Sequence, residues 1–238
     1  LEMADNHTVY KNGVKEIAHL EGRSATFMAK PYAAQPGSSC HIHTSLWSTD
    51  GETPHSCGEA GDGMSADMRA FVAGLQTHLA DLTLLGAPNL NSYKRYQPES
   101  WAPTATVWAL DNRTAGLRLV GHGAGLRIES RIPGADANPY LAFAGVIAAG
   151  LAGIEEGLDC GPPYDGNAYA AGAEGDTALT HVPWNLPDAT EAFRNSEVAQ
   201  KALGEDVMFH LAHGADEEWR AFHREVSDWE YRRGYERL

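Results

Sequence analysis

The hydrophobic positions of the chain predict three helices before any motif is considered. Apolar residues recur at helical spacing over residues 7–21, and a longer amphipathic pattern runs from Ser65 to Gly86. The stretch from 139 to about 157 is small and apolar on all sides, and Asn138 precedes it as an N-cap. This third pattern predicts a buried helix.

The C-terminal part of the chain predicts two more helices after a loop. Residues 160–187 are rich in Gly, Pro and Asp and predict the loop. Asp188 and Glu191 have the spacing of a capping box, which predicts a helix that begins there. The final helix begins near Asp216, and its apolar stripe is predicted to pack in the core. The stripe consists of Trp219, Phe222, Val226 and Trp229.

Five segments have the composition or the alternation of β-strands. They span residues 25–29, 40–47, 104–109, 117–120 and 126–132. A polar turn at 35–39 and a glycine-rich turn at 121–125 resemble hairpin connections. The pattern therefore predicts the α+β class, with an antiparallel sheet and helices packed on it. Residues 48–64 and 89–103 are predicted to be loops, the first an excursion from the sheet and the second functional.

Composition narrows the classes of function. The chain has 238 residues and a net charge of −14, so nucleic acid and anionic membranes are disfavoured partners. The longest apolar run, 141–154, is too short for a membrane span. Three scattered cysteines, without a CxxC motif or a signal peptide, predict a cytoplasmic protein. The chain begins with Leu1 instead of Met, so we expect a piece of a longer protein.

The positive charge of this acidic chain is concentrated in one segment. Between Lys94 and Arg131 there are six basic residues against three acidic ones. This excess predicts a cationic pocket in an acidic shell, which suits small anions such as nucleotide phosphates and carboxylates. Neither a dinucleotide-binding glycine motif after a strand nor a P-loop occurs.

One charged row lies at the end of that segment. Arg127, Glu129 and Arg131 share one face of the predicted strand, because successive side chains of a strand alternate. The row is either a solvated outer face or a site in which the arginines hold anions and the carboxylate holds a cation. His41 and His43 share a face of another predicted strand, and Glu129 is their natural partner for Mg²⁺ or Mn²⁺.

A series of motifs in this order resembles the glutamine synthetase family over nearly the whole chain. The motifs are Lys30-Pro31, Gly37-Ser38-Ser39-Cys40-His41-Ile42-His43-Thr44-Ser45-Leu46-Trp47, Asn91-Ser92-Tyr93-Lys94-Arg95, Ala102-Pro103, Asn112-Arg113, Arg118, Arg127-Ile128-Glu129-Ser130-Arg131 and Asn138-Pro139-Tyr140-Leu141-Ala142. The resemblance implies the catalytic domain of a ligase that joins the γ-carboxylate of glutamate to an amine and consumes ATP. It also implies Mg²⁺ or Mn²⁺ as the cofactor, and glutamate, ATP and an amine as the partners.

The resemblance implies a role for each matching position. His41 and Glu129 match metal ligands, and the backbone of Gly37 matches a contact to glutamate. The arginines that match groups holding glutamate and its phosphorylated intermediate are Arg95, Arg113 and Arg131, of which Arg113 and Arg131 are the candidate catalytic residues. The positions that match ATP contacts are His43, Ser45, Arg118 and Arg127.

Trp101 is the main departure from the family pattern. Ammonia-using members carry a glutamate at this position, in a flap over the active site, whereas a tryptophan cannot accept a proton. The tryptophan offers an aromatic wall to an alkylamine instead. This flap resembles the γ-glutamylpolyamine and γ-glutamylethanolamide synthetase branch, so we expect a polyamine or ethanolamine as the substrate. Glu99 could replace the missing glutamate only if the flap differs in shape.

A second departure concerns the N-terminal part of the family pattern. Residues 1–238 match the catalytic domain, whereas the family's smaller β-rich domain and further glutamate metal ligands lie upstream of Leu1. We therefore expect the isolated chain to be inactive, and the parent to form a homo-oligomeric ring dodecamer. Two alternatives stay open: a glutamine synthetase that uses ammonia, and a catalytically silent fragment that serves as an assembly module.

Overall fold

A sheet of four short strands lies at the centre of the structure, a computed structural model that describes residues 1–59, 61–169 and 179–237. The strands are β1 (Ile42–Thr44), β2 (Trp108–Leu110), β3 (Leu117–Val120) and β4 (Arg127–Ser130). Their order is β1-β4-β3-β2. β4 pairs antiparallel with β1 and β3, whereas β2 pairs parallel with β3, so the sheet is mixed. The prediction of an antiparallel sheet is therefore wrong for the β2–β3 pair, because the direction of pairing depends on how the connecting residues 111–116 run, which the alternation of side chains does not contain.

Most predicted strands are longer than the observed ones. β3 has the predicted bounds, but the segment 40–47 is a strand only over three residues, because its partner β4 has only four. Residues 25–29 form no strand, and the segment 104–109 pairs in a ladder only from Trp108 onward. Strand length depends on distant partners, which local patterns do not contain.

The first helices differ from the prediction at their ends. Helix α1 (Glu2–Leu20) begins five residues before the predicted start. The predicted helix 65–86 is interrupted after α2 (Ala66–His78) and resumes as α3 (Thr83–Gly86). The apolar periodicity continues across the break because Leu79 and Leu82 are buried in the core.

Helix α4 (Pro139–Glu156) confirms both predicted ends. The Asn138 side chain accepts a hydrogen bond from the Tyr140 amide at 3.0 Å, and Gly157 ends the helix with a φ of +65°. α4 packs very closely on α2. A Cβ atom on Gly153 would lie 2.2 Å from the carbonyl oxygen of Ala70, and one on Gly74 would lie 2.1 Å from that of Ala149. Glycine is therefore required on both helices.

The C-terminal helices are α5 (Leu186–Arg194), α6 (Glu197–Leu203), α7 (Glu205–His223) and α8 (Asp228–Gly234). The capping box predicted at Asp188 is wrong, because the Asn185 side chain caps α5 by accepting from the Asp188 amide at 2.8 Å. The predicted core stripe is also wrong: Phe222 and Trp229 are exposed, and Val226 is 77% exposed. An amphipathic pattern does not determine what covers its apolar face.

The two long predicted loops are only partly described by the structure. Residues 170–178 of the loop predicted over 160–187 lie outside the described part of the chain. The loop 48–64 carries isolated bridges between Trp47 and Pro54 and between Cys57 and Met64, as expected for an excursion from the sheet. None of the described helices is both long enough and apolar enough to cross a membrane.

Candidate active site

The sheet places the charged row of β4 between histidines and arginines of its neighbours. Glu129 lies opposite His43 of β1 and opposite Arg118 of β3. Directly opposed residues of a sheet project from the same face, so these side chains meet. The other face of β4 carries Ile128 and Ser130, both of which are buried.

Four side chains converge on the Glu129 carboxylate. His41 Nδ1 lies 2.8 Å from Oε1, and His43 Nε2 lies 3.7 Å from the same oxygen. Arg118 Nη1 donates to Oε2 at 3.2 Å, and Arg131 Nη1 lies 3.3 Å from both oxygens. The Glu129 side chain is only 5% exposed. A solvated outer face is therefore wrong for Glu129, and the alternative of a charged site is supported.

The surroundings keep Glu129 ionised. Burial raises its pKa, but the hydrogen bond with His41 and the charge of Arg131 outweigh burial and lower the pKa to about 2. The pKa of His43 is lowered, mainly by burial and also by the charge of Arg127, although Glu129 opposes the shift. Arg127 Nε donates to His43 Nδ1 at 3.1 Å, so the ring presents a lone pair to that arginine.

Asp111 is a site residue that the sequence prediction missed. Its carboxylate accepts from Arg118 Nε at 2.9 Å and pairs with Nη2 of the same guanidinium. The Asp111 side chain is 78% exposed, and its backbone has a φ of +45°. The only local signal is an aspartate in a turn between two strands, which tolerates this conformation and is common on protein surfaces.

The predicted phosphate-binding arginines border one cavity. Arg118 and Arg127 line a space of about 340 Å³ together with Asp62, Asp111 and His122. Arg127 Nη1 also donates to the Gly125 carbonyl at 3.0 Å. The predicted ATP contact Ser45 follows β1 on the histidine side, and its hydroxyl accepts from Trp47 Nε1 at 2.9 Å.

Arg95 and Gly37 form a second, buried cluster. Arg95 is 3% exposed, and its Nη2 donates to the carbonyls of Ile132 and Arg131. Its guanidinium lies 4.9 Å from the centroid of the Tyr96 ring. A Cβ atom on Gly37 would lie 2.7 Å from Arg95 Cγ, so glycine is needed for this approach.

The predicted flap connects with the site through its backbone. The Trp101 carbonyl accepts from Arg131 Nη2 at 3.0 Å, whereas the Trp101 side chain is 62% exposed. Glu99 and Trp101 have φ values of +62° and +63°, a conformation unusual for side-chain-bearing residues.

Arg113 is exposed in the turn between β2 and β3, and within the described residues it joins no ion pair of the Glu129 cluster.

His41 and Glu129 carry ligand atoms of the kinds that bind a hard divalent cation. His41 Nδ1 and a Glu129 oxygen already lie in contact, and one imidazole with one carboxylate is compatible with Mg²⁺ or Mn²⁺. Across residues 1–59, 61–169 and 179–237, no three His, Cys, Asp or Glu side chains are grouped so that they could hold a metal ion. Within the part of the chain that the structure describes, His41 and Glu129 therefore offer two candidate ligands for such a cation.

Comparison with known proteins identifies related chains. Residues 1–234 match the family described as glutamine synthetase, catalytic domain. A γ-glutamylethanolamide synthetase of Streptomyces coelicolor is 50% identical over 100% of this chain and 49% of that protein. A glutamate–isopropylamine ligase of a Pseudomonas species is 38% identical over 98% of this chain and 50% of that protein. Type-1 glutamine synthetase 2 of Dictyostelium discoideum is 37% identical over 98% of this chain and 45% of that protein.

A solved structure described as a GmaS/ADP complex has the same fold. It has a TM-score of 0.89 and 34% identity, and the match covers 98% of this chain and 54% of that one. A structure of apo GmaS without ligand has a TM-score of 0.86, 35% identity, and coverage of 98% and 53%. These likenesses confirm the predicted α+β class. The chain spans about half the length of the relatives it matches.

Proposed function

This chain belongs to the glutamine synthetase family, as its motifs predicted, and from that premise we propose that the protein is an ATP-dependent ligase of glutamate and an amine. The observation that carries the proposal is the buried Glu129 carboxylate, which His41, Arg118 and Arg131 surround. A cation ligand set beside several guanidinium groups is what phosphoryl transfer to a carboxylate needs.

The proposed reaction has two steps. An oxygen of the glutamate γ-carboxylate attacks the terminal phosphorus of ATP, the bond to the bridging oxygen breaks, and ADP leaves. The amine nitrogen then attacks the acyl carbon of γ-glutamyl phosphate, phosphate leaves with the bonding electrons, and the nitrogen loses a proton. Positioning and charge neutralisation dominate the catalysis of such steps.

Each site residue that the family resemblance implies has a proposed task in this scheme. Arg118 and Arg127 hold the phosphates of ATP, together with His43 and Ser45. Arg131 and Arg113 hold glutamate and the acyl phosphate, while Arg95 and the Gly37 backbone complete the glutamate site. His41 and Glu129 would hold Mg²⁺ or Mn²⁺, which when bound neutralises phosphate charge.

We propose ethanolamine or a polyamine as the acceptor amine. Two observations support an organic amine over ammonia: Trp101 occupies the flap, and the relatives include a γ-glutamylethanolamide synthetase and a glutamate–isopropylamine ligase. An aromatic face can hold an alkylammonium group by cation–π contact. Ammonia is the second candidate, because the relatives also include several proteins named glutamine synthetase, one of them from Rhizobium meliloti at 36% identity.

We further propose that residues 1–238 are the catalytic domain of a longer protein. The remaining length would contain the smaller β-rich domain and the glutamates that complete the metal centre. The match of residues 1–234 to the catalytic-domain family, and the chain's coverage of 49% of a relative, support that division. We also propose a ring-shaped homo-oligomer for the whole protein, which its mass in solution would test.

The test of the proposed activity uses the full-length protein with ATP, Mg²⁺ and glutamate. We expect ADP release to depend on ethanolamine, putrescine or spermidine, and mass spectrometry to detect the matching γ-glutamyl amide. Reactions without glutamate, or without any amine, are the controls for simple ATP hydrolysis. ADP release that ammonia supports and none of the organic amines supports would falsify the proposed amine class.

A further inference from the structure

The segment after β4 is anchored by a carboxylate that the proposed reaction does not use. Asp136 Oδ2 accepts hydrogen bonds from Ser92 Oγ at 2.6 Å and from Asn89 Nδ2 at 2.9 Å. Gly134 lies so close that a Cβ atom there would be 2.4 Å from Asp136 Oδ1. The backbone is therefore shaped to place this carboxylate against the segment 89–92.

Ser92 is the first residue of a short 3₁₀ helix that ends with Arg95. Arg95 returns to the same segment, since its Nη2 donates to the Ile132 carbonyl, which also accepts from the Tyr96 hydroxyl at 2.8 Å. One end of the 3₁₀ helix is thus tied to Asp136 and the other end to Ile132. This arrangement sets the distance between Arg95 and Arg131.

The same segment also holds the loop that carries Gly37. The Ala135 amide donates to the Ser38 carbonyl at 3.1 Å, and Ser39 forms a bridge with Gly134. Three predicted glutamate contacts, Gly37, Arg95 and Arg131, therefore converge on residues 131–136. Arg118 and Arg127 are held by Asp111, Glu129, His43 and Gly125, and of these anchors the Arg131 side chain shares only Glu129.

We propose that Asp136 is a positioning residue that fixes Gly37, Arg95 and Arg131 as one glutamate-binding unit. This inference rests on the proposed function and adds to it the residue that sets the affinity for glutamate independently of ATP. A carboxylate that accepts two hydrogen bonds from one segment restricts how that segment can move relative to β4. Small displacements of binding groups have large effects on affinity and rate.

The test compares Asp136→Ala and Asp136→Asn in the full-length protein. We expect the KM for glutamate to rise by roughly tenfold in Asp136→Ala, and by less in Asp136→Asn, which keeps one acceptor oxygen. The KM for ATP should stay within about twofold of wild type, because the phosphate-binding arginines have other anchors. Equal changes in both KM values, or no change in either, would overturn the positioning role.

Ser92→Ala gives a second measurement if Asp136→Ala folds poorly. It removes one of the two donors to Asp136 and little volume, so the KM for glutamate should rise in the same direction by a smaller factor. The double variant should be little worse than Asp136→Ala alone, because both changes break the Ser92–Asp136 contact and Ser92→Ala adds only the loss of the bond that Ser92 Oγ accepts from the Asn89 amide. Independent, multiplying effects of the two changes would contradict the inference.

Asp188→Ala is the matched control, since it removes an exposed carboxylate whose side-chain hydrogen bond, within the described residues, is with Asn185 of its own capping turn. Its KM values should equal those of wild type. A wild-type protein that shows no saturable dependence on glutamate would sink the proposed function itself. A glutamate-dependent wild type with unchanged glutamate KM in the Asp136 variants would sink only the role of Asp136.

Discussion

At the scale of single residues, a local sequence pattern predicts which side chains share a face of a strand. The alternation of a strand was enough to place Arg127, Glu129 and Arg131 on one face, because the period of two is a property of the backbone. The partners of that face lie on other segments. Residue chemistry alone suggested His41 as a partner of Glu129, whereas the role of Arg118 came only from the family resemblance. Asp111 has no such signal, and it emerges only from its contact with Arg118.

Removal of the Glu129 carboxylate should weaken metal-dependent nucleotide binding. In a Glu129→Ala variant of the full-length protein, we expect Mg²⁺-dependent ADP affinity to fall by at least about tenfold, because a proposed ligand of the cation is lost. Calorimetric titration of ADP with and without Mg²⁺ measures the effect. Glu225→Ala, on an exposed residue after α7, is the control, and unchanged affinity in Glu129→Ala would remove the metal assignment.

Substitution of the flap tryptophan should change the choice of amine. Trp101→Glu introduces the carboxylate that the family resemblance implies for ammonia-using members, so we expect the ratio of kcat/KM for ammonia over ethanolamine to increase. Trp101→Phe keeps an aromatic wall and should retain the preference of the wild type. If all three proteins have the same ratio, Trp101 does not determine the amine.

At the scale of helices and strands, the ends of a helix could be predicted from the local sequence, whereas the pairing of strands could not. Asn138 and Gly157 determine the ends of α4 through their own backbone and side chain, so both ends were predicted correctly. The length of β1 depends on β4, and the capping of α5 depends on the choice between Asn185 and Asp188, both of which are good caps. The exposed stripe at Phe222 and Val226 has the same periodicity as a buried one.

The contact of α2 with α4 gives a prediction about stability. Gly153→Ala should reduce the free energy of unfolding by roughly 2 kcal/mol, because the clash with Ala70 and Gly74 outweighs the gain in helix propensity. Gly13→Ala in α1 is the matched control, since its Cβ would meet no atom within 4 Å. The control should gain up to about 1 kcal/mol from propensity alone. Urea unfolding measures both, and a stabilised Gly153→Ala would contradict the close packing.

The whole molecule combines an acidic surface with a cationic centre. A net charge of −14 repels free anions at long range, while Arg118, Arg127 and Arg131 attract them at short range. Nucleotide whose phosphates carry Mg²⁺ has less charge to repel, so this charge distribution would favour the metal-bound form of the proposed substrate. The same distribution discourages polyanions such as nucleic acid.

The incomplete ligand set gives a prediction for the 238-residue chain on its own. We expect it to unfold cooperatively, because its core includes fully buried residues such as Trp108 and Phe193, yet to form no γ-glutamyl amide from ATP, glutamate and ethanolamine. Urea unfolding and mass spectrometry of the products measure the two outcomes. The full-length protein is the positive control, and turnover by the isolated chain would show that His41 and Glu129 suffice to hold the metal.

The separation of the site residues along the sequence has a consequence for folding kinetics. Arg118 and Glu129 are 11 residues apart, whereas His41 and Glu129 are 88 apart. Closure of the longer loop costs about 2 kcal/mol more conformational entropy. We therefore expect the β3–β4 hairpin to form early and the docking of β1 to follow. A chain arrested between these steps would carry the arginines of the site without its histidines, and would attract anions before it could hold a metal.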